Sequence, residues 1–196
     1  DDRLFTTNVR YKETNSKDVV RLVSSKEFDL GIVRCQVLYE PFFLKMIQDE
    51  HLDSKVLWQF SPKVLMSPSH PLAGKEPLDH LDFSQSVELL QGDIQYPSFT
   101  PENTHCVLPD SDPRHTIYIY DRGSQYEFLR HLPGAYMWTS PVPYSTLTEA
   151  KLIQRECTRP DNVFKDLLVC RSNYRLSKAE TELTQWLGRT ISQLSD

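Results

Sequence analysis

The chain has 196 residues, a formal net charge of −5, 39% apolar residues and 25% charged residues. This composition excludes a disordered chain and predicts one large or two small globular domains. The acidic balance argues against direct binding of a phosphate backbone, and no run approaches the ~18 apolar residues of a membrane span. The acidic start Asp1-Asp2 is not typical of a signal peptide. We therefore expect a cytoplasmic protein that does not bind membranes.

The first third of the chain predicts alternating strands and helices. The predicted elements are a strand at 8–13, a helix at 14–26, a strand at 28–35 and a helix at 41–52. Asn15 is placed to cap the first helix, with Asp18 at its third position, and Pro41 opens the second helix. The strand at 28–35 is almost continuously apolar, which is typical of a strand covered on both faces. The order strand, helix, strand indicates a parallel βαβ unit.

The remainder of the chain predicts a larger sheet and a long terminal helix. The predicted elements are a strand or strand pair at 55–67 interrupted at Pro62, strands at 86–91, 116–121, 135–140, 151–156 and 163–171, and helices at 123–132 and 177–194. Ser177 and Glu180 are spaced as a capping box for the last helix. Its apolar residues recur at helical spacing, which predicts a stripe facing the core: Ala179, Leu183, Trp186, Leu187, Ile191 and Leu194.

The four cysteines, Cys35, Cys106, Cys157 and Cys170, are far apart and contain no CxxC motif. Cys35 and Cys170 lie in apolar runs, which favours buried, reduced thiols. The even number leaves two disulfides open as an alternative. Redox sensing by Cys35 or Cys106 is a further alternative, although no second cysteine lies near either one in the sequence.

The stretch from Gln91 to His115 contains four prolines and almost no periodicity. A loop of this length is usually functional or mobile, so it is a candidate lid or cleft edge, with a disordered excursion as the alternative. Several possible zinc ligands lie in it, but their spacing fits no common pattern: His105, Cys106, Asp110, Asp112 and His115. The chain has no GxSxG, P-loop, GxGxxG or HExxH motif. We therefore expect neither an enzyme nor a bound cofactor or metal.

Three segments resemble the effector-binding domain of LysR-type transcriptional regulators: "DLGIV" at 29–33, "SHPLAGKEPLDHLDF" at 69–83 and "LLVCRSNYRLSKAETELTQWL" at 167–187. The resemblance implies the two-lobe α/β fold of type 2 periplasmic binding proteins, with mixed, mainly parallel sheets and two crossover strands. Lobe I would then comprise 1–67 and 160–196, and lobe II would comprise 68–159.

The resemblance also assigns a role to the segment after the strand near residue 65. Prolines fix φ and remove backbone donors, so Ser67, Pro68, His70 and Pro71 are predicted to form the hinge at which the chain leaves lobe I. For His70 alone, an ordinary turn residue is the preferred interpretation. The family's helix-turn-helix and its first strand and helix are expected to lie outside this chain. DNA would be bound only through that helix-turn-helix, in a dimer or tetramer.

Ligands of α/β folds bind beyond the carboxyl ends of strands, and helix N-termini suit anions. The candidate ligand-binding residues are Thr14, Asn15, Ser16, Arg34, Gln91, Gly92, Asp93, Arg122, Gly123, Ser124, Gln125, Trp138 and Ser140. Helix capping, turn formation and core packing are the alternatives for these residues. The resemblance, together with these residues, implies a domain that senses a small anionic metabolite between two lobes. A transport-system solute-binding protein of the same fold is one alternative, and an interaction-only domain with a collapsed cleft is another.

Overall fold

The structure is a computed structural model that describes residues 8–93, 115–158 and 163–194. The helices of this described part are α1 (Ser16–Ser24), α2 (Glu40–Asp49), α3 (Gln125–His131), α4 (Tyr144–Ala150) and α5 (Lys178–Leu194). Its strands are β1 (Leu30–Gln36), β2 (Leu52–Phe60), β3 (Lys63–Met66), β4 (Val87–Gln91), β5 (Thr116–Ile119), β6 (Ala135–Thr139), β7 (Ile153–Arg155) and β8 (Phe164–Arg171). The strands form two separate sheets, which define two lobes. The predicted mixed α/β fold is confirmed. The expectation of mainly parallel sheets is wrong for the described residues, because four of the six strand pairs are antiparallel.

Lobe I is built on the sheet with strand order β1-β8-β2, in which both strand pairs are antiparallel. Helices α1 and α2 cover one face, where Val33, Leu167 and Val169 pack in a common apolar cluster. On the opposite face, Ile32 remains 43% exposed. The prediction that this strand is covered on both faces is therefore wrong for the described residues. Residues 30–36 bury only alternate side chains.

Lobe II is built on the sheet with strand order β5-β4-β6-β3-β7. Strand β4 is parallel to β5 and β6, whereas β3 is antiparallel to β6 and β7. Leu65 packs in one apolar cluster with Leu129 of α3, while Val64 and Met66 pack in a second cluster with Phe83. Successive side chains of a strand point to opposite faces, so these two clusters cover the two faces of the sheet.

The first crossing between the lobes lies earlier in the chain than predicted. Strand β3 pairs with β6 and β7, so it belongs to lobe II, and the chain crosses at Ser61 and Pro62. The predicted lobe boundary at 67/68 and the predicted hinge at Ser67, Pro68, His70 and Pro71 are therefore wrong. That segment lies within lobe II, where His70 is 4% exposed and its ring centroid lies 5.9 Å from that of Phe83. Pro62 separates two strands of different sheets rather than interrupting one strand.

The predicted strand at 8–13 is not formed. Residues 8–15 have no regular structure, and Val9 and Tyr11 are 73% and 81% exposed. Alternation of apolar and polar residues favours a strand, but a strand also needs a hydrogen-bonding neighbour. Instead, Arg10 donates to the carbonyl of Glu27 at 2.7 Å and its guanidinium lies 5.4 Å from the centroid of the Phe28 ring. The predicted parallel βαβ unit over 8–35 is consequently wrong as well.

Local signals place several helices correctly. The capping box of α5 is confirmed, since the Ser177 N–H donates to Glu180 at 2.7 Å and the Glu180 N–H donates to the Ser177 hydroxyl at 3.3 Å. However, none of the residues of α5 is buried by the described part of the chain, so the predicted burial of its apolar stripe is not observed. Helix α4 carries no side-chain cap and was not predicted from its sequence.

The three cysteines in the described part, Cys35, Cys157 and Cys170, are free thiols. Burial and the nearby Glu40 and Asp166 carboxylates raise the pKa of Cys35 to about 11. A thiol with this pKa is almost entirely protonated at neutral pH and is a poor redox sensor. Cys106 lies outside the described residues. Among the helices described, none combines the length and apolarity that a membrane span requires.

Candidate functional site

The predicted lobe II residues converge on one edge of the sheet. Strands β4, β5 and β6 run parallel, so their carboxyl ends lie side by side. Thr139 at the end of β6 pairs with Lys63, the residue at which the chain enters lobe II. The residues that follow these strands, 91–93, 123–125 and 138–140, are therefore placed at the edge nearest to the crossing. This is the position at which α/β folds bind ligands.

The predicted lobe I residues also lie together. The hydroxyl of Ser16, the first residue of α1, donates to the carbonyl of Arg34 at 2.7 Å and accepts from its N–H at 3.1 Å. These bonds fix the start of α1 against the outer edge of β1. The ends of β1 and β2 nearest to the crossing pair with Phe164 of β8. The Ser16–Arg34 contact therefore lies toward the end of lobe I that leads to lobe II.

Arg34 is the most constrained of the predicted site residues. Its Nε and Nη2 donate to the two carboxylate oxygens of Asp166 at 2.8 and 2.7 Å. Its guanidinium lies 4.9 Å from the centroid of Phe60, which stacks on Phe164 at 5.9 Å. Asp166 is only 7% exposed, whereas the Arg34 side chain is 47% exposed. Arg34 thus neutralises the buried carboxylate of Asp166. Its Nη1 takes part in neither of these two hydrogen bonds, and the side chain that carries it is accessible.

The N-terminus of α1 is capped by the chain itself. The Asn15 side-chain oxygen accepts from the N–H of Asp18 at 2.9 Å, and its amide donates back to the Asp18 carboxylate at 2.9 Å. Thr14 contributes a longer bond of 3.4 Å to the same carboxylate. Hydrogen bonding from Arg21, together with that from Asn15, lowers the pKa of Asp18. A negative charge already occupies the helix end that the sequence suggested for an anion.

The turn before α3 is closed in the same way. The N–H of Gly123 donates to Asp121 at 3.0 Å, and the Ser124 hydroxyl donates to the other oxygen of that carboxylate at 2.5 Å. The hydrogen bond from Ser124, with that from Gly123, lowers the pKa of Asp121. Gln125 is buried at 6% exposure, and the side chain of Arg122 lies outside the described part of the structure. The N–H of Gly123 and the hydroxyl of Ser124 therefore already donate to Asp121.

At the ends of β4 and β6, the predicted residues have packing roles. The Gly92 N–H donates to the Ile119 carbonyl at 3.0 Å, and a Cβ at Gly92 would lie 2.5 Å from the Tyr120 ring. A side chain at position 92 would therefore require the exposed Tyr120 ring to move. Trp138 is half-buried and packs against the cluster of Val64 and Met66, which supports a core role. Gln91, Asp93 and Ser140 are half-buried at the same edge.

Comparisons with known proteins match this architecture. Residues 4–93 match the family model of the LysR substrate binding domain. The effector-binding domain of QuiR in complex with shikimate is 15% identical and superposes with a TM-score of 0.58, covering 94% of this chain and 81% of that chain. The reduced regulatory domain of OxyR2 from Vibrio vulnificus is 16% identical, with a TM-score of 0.60 and coverages of 98% and 84%. The chain has the fold of a LysR-type effector-binding domain.

Two of the similar structures are considerably longer than this chain. A Pseudomonas aeruginosa protein assigned to the LysR family is 14% identical with a TM-score of 0.57, and this chain covers 61% of its length. A full-length BenM variant is 16% identical with a TM-score of 0.59, and 60% of its length is covered. The chain thus spans about three fifths of these two relatives. No curated protein matches the sequence.

One residue that sequence reasoning missed organises the lobe II edge. Gln154 on β7 donates to the Thr139 hydroxyl at 2.7 Å and the Ser140 carbonyl at 2.8 Å, and it accepts from the Val142 N–H at 2.9 Å. These bonds hold the loop that leaves β6. The only signal in the sequence was that Gln154 is a polar residue inside a short predicted strand. This signal does not identify its hydrogen-bond partners, which are more than ten residues away in the sequence.

The described part of the site contains polar and aromatic groups rather than a metal centre. Within residues 8–93, 115–158 and 163–194, no three His, Cys, Asp or Glu side chains form a group that could hold a metal ion. Four of the zinc candidates considered from sequence, His105, Cys106, Asp110 and Asp112, lie outside these ranges.

Proposed function

We propose that this chain is the ligand-sensing domain of a LysR-type bacterial transcription factor and that it binds a small effector between its two lobes. The observation that carries this proposal is the position of Arg34. It lies toward the crossing end of lobe I, with an accessible guanidinium fixed by Asp166 and Phe60. The strand ends of lobe II lie at the edge nearest to the same crossing. The match to the LysR substrate binding domain supports this assignment over a transport protein of the same fold.

The proposed effector is a small molecule with one carboxylate or a comparable anionic group. The helix ends at Asn15 and Ser124 already hold the carboxylates of Asp18 and Asp121, so they are poor anion sites. Arg34 retains Nη1 and is therefore the proposed anion contact. The complex of QuiR with shikimate, a hydroxylated cyclic carboxylate, is an example of this ligand class in a protein of similar fold.

In the proposed mechanism, the effector favours one relative orientation of the lobes. A ligand shifts such an equilibrium only by the difference between its affinities for the two states. Arg34 on lobe I and the loop held by Gln154 on lobe II would contact the effector together in one orientation only. In the full protein, this change would reach DNA-binding domains through a homodimer or tetramer.

The test is a thermal-shift screen of the 196-residue chain against shikimate, benzoate, succinate, glutamate and glucose 6-phosphate. A true effector at a hundredfold excess over its dissociation constant should stabilise the chain by about 2.7 kcal/mol. Arg34→Met should abolish the shift when each variant is compared with its own unliganded melt. Arg21→Met is the matched control, because Arg21 is an exposed arginine on α1 that pairs with Asp18.

The screen also distinguishes the two parts of the proposal. A ligand shift that survives in Arg34→Met would show that Arg34 is not the anion contact, and so would a shift lost equally in Arg34→Met and Arg21→Met. If none of these compounds, nor a wider metabolite panel, shifts the melt of a correctly folded chain, small-molecule sensing by this chain is contradicted.

A further inference from the structure

An open cavity of about 500 Å³ lies at the end of lobe II that is remote from the crossing. The described residues that line it are all polar or charged: Ser67, Glu127, Arg130, His131 and Lys151. Strand β3 enters lobe II at Lys63 and ends at Met66, so Ser67 follows the end of this strand that points away from the crossing. The cavity, which we call the Lys151 cavity, is therefore separate from the proposed effector site at the crossing edge.

The charges on the wall of the Lys151 cavity leave one cation unpaired. The Arg130 guanidinium pairs with the Glu127 carboxylate and donates to the Ala150 carbonyl at 3.3 Å. His131 Nε2 lies 3.4 Å from the other oxygen of the same carboxylate. The negative charge of Glu127 is thus matched by its neighbours. In contrast, the Lys151 side chain makes no ion pair or hydrogen bond with any residue that the structure describes.

The free donors of the Lys151 cavity suit a phosphate group better than a carboxylate. A carboxylate gains most from the fork of an arginine, and the fork of Arg130 is already occupied. A lysine ammonium acts instead as a point charge, which a phosphate accepts well. The hydroxyls of Ser67 and Ser69 lie 2.8 Å apart, and with Ser69 as the donor of that pair the Ser67 hydroxyl is free to donate. A phosphate has several acceptor oxygens and can therefore bind both groups at once.

We propose that the Lys151 cavity is a second binding site of this chain and that it takes a small phosphorylated metabolite, whose phosphate is held by Lys151 and Ser67. Its volume is within the ~300–1,000 Å³ of small-molecule sites, which leaves room for the rest of such a molecule. This inference does not depend on the proposed effector binding. Leu129 of α3 and Ala150 of α4 pack in one apolar cluster with Leu65. A ligand between the ends of these two helices should therefore stabilise lobe II itself.

Titration with inorganic phosphate, followed by amide NMR of the isotope-labelled 196-residue chain, tests the proposal. Sodium chloride keeps the ionic strength constant. We expect the amide signals of Ser67, Arg130 and Lys151 to shift and to saturate with a dissociation constant on the order of 1 mM. Glucose 6-phosphate should saturate the same signals at a lower concentration, whereas glucose should not shift them. If phosphate produces no saturating shifts at these residues, the proposal is overturned.

The variant Lys151→Gly removes the ammonium group without opposing the fold. Lys151 has a left-handed backbone with φ of 54°, which glycine adopts more readily than lysine. Lys26→Gly is the matched control, because Lys26 is an exposed lysine in the same conformation, with φ of 66°, in lobe I. Both variants should melt at or above the temperature of the starting chain. Only Lys151→Gly should weaken phosphate binding, by about fivefold. Equal phosphate binding by the two variants would overturn the proposal.

Two further variants test where the phosphate binds. Glu127→Gln removes a negative charge from the cavity and leaves Arg130 without an anionic partner, so phosphate should bind about threefold more tightly. Arg34→Met should leave phosphate binding unchanged, since Arg34 belongs to lobe I. No gain in Glu127→Gln, or a loss in Arg34→Met, would reject the Lys151 cavity as the site. Glucose 6-phosphate that binds in Arg34→Met but not in Lys151→Gly occupies this cavity rather than the space between the lobes, so the two proposals can fail separately.

Discussion

The sheets of the two lobes are covered differently. In lobe II, helices α3 and α4 pack on one face of the sheet, and the segment containing Leu78 and Phe83 packs on the other. In lobe I, α1 and α2 cover one face, while Ile32 is 43% exposed on the other. A sheet covered on both faces gains burial from every residue of its central strand, whereas a sheet covered on one face gains it from alternate residues. Lobe II should therefore be the less tolerant of substitution.

The open face of lobe I is also where its best binding candidate lies. Arg34 and Ile32 project from the same face of β1, because they are two residues apart in a strand. The Arg34 side chain is 47% exposed on this face, where Ile32 is exposed as well. The same lack of cover that reduces the burial of lobe I thus makes Arg34 available.

The largest expected effect comes from truncating neighbouring core residues in each lobe. In lobe II, Leu65→Ala and Met66→Ala should each reduce the free energy of unfolding by about 2–5 kcal/mol, because both side chains are 0% exposed. In lobe I, Leu167→Ala should cost about as much, since Leu167 is 1% exposed. Leu168→Ala should cost less than half of that, because Leu168 is only half-buried on the open face. Urea unfolding of the four variants measures these differences.

Equal losses from Leu167→Ala and Leu168→Ala would mean that the second face of lobe I is covered in solution. A small loss from Met66→Ala, beside a large one from Leu65→Ala, would mean that lobe II is covered on one face only. Either result would remove the contrast between the lobes.

The second effect concerns the ion pair on the open face. Arg34→Met should destabilise the chain by about 2 kcal/mol, because it leaves the buried Asp166 carboxylate without its partner. This value is below that of a fully buried pair, since water reaches the half-exposed Arg34. Asp166→Asn should cost less, and the double variant should cost less than the sum of the two. A double-mutant cycle in urea unfolding gives the coupling, and additive losses would contradict it.

Local signals in the sequence predicted local structure well. Asn15 and Asp18 cap α1 as expected, Pro41 lies in the first turn of α2, and Ser177 and Glu180 close the start of α5. Each of these signals acts within about one helical turn, so the sequence contains both partners side by side. Strands were also predicted where the structure has strands at 87–91, 116–119, 135–139 and 164–171, the last of them from a dense apolar run.

The pairing of distant residues could not be predicted in the same way. Arg34 and Asp166 are 132 residues apart, and nothing near either residue identifies the other. The apolar run at 64–66 indicated a buried strand, but its composition is the same whichever sheet it joins, so the lobe boundary was misplaced. The segment at 8–13 shows the converse, because it alternates like a strand and lacks a neighbour in the described structure.

The third effect is on the edge of lobe II where the loop after β6 is held by Gln154. Gln154→Ala removes three hydrogen bonds, to Thr139, Ser140 and Val142, and should cost about 1 kcal/mol of stability. It should also weaken effector binding, because the loop after β6 loses its fixed position. Gln59→Ala, at an exposed position of β2, is the control for loss of a glutamine side chain from a strand. The readouts are the melting temperature and the ligand-induced shift.

If Gln154→Ala lowered the melting temperature but left the ligand-induced shift unchanged, the loop after β6 would have no part in binding. If neither quantity changed relative to Gln59→Ala, the three hydrogen bonds would be replaced by water without cost.

The smallest expected effect is a pH dependence of stability. It arises in the segment that contains Leu78 and Phe83 and covers the second face of the lobe II sheet, which we call the second cover. His70 is buried in this cover, its Nδ1 accepts from the Leu72 N–H at 3.0 Å, and its Nε2 has no hydrogen-bond partner among the described residues. Burial lowers the pKa of His70, an effect that the Gly134 backbone partly opposes. The unfolded chain therefore binds this proton more readily than the folded chain. Stability is complete above the unfolded pKa of about 6.5 and falls as the pH drops through that value toward the lowered folded pKa.

The titration of one group changes the free energy of unfolding by at most about 1.4 kcal/mol per pH unit. For His70 we expect a fraction of that slope between about pH 7 and about pH 5.5. His70→Asn keeps an acceptor for Leu72 and should reduce the slope, whereas His131→Asn, at a side chain that is 78% exposed, should not. An unchanged slope in His70→Asn, measured by urea unfolding at several pH values, would contradict this. Lobe I differs here too, because its buried carboxylate, Asp166, is matched by a fixed arginine. Lobe II, whose sheet is covered on both faces, is thus the lobe whose stability is expected to fall at acidic pH.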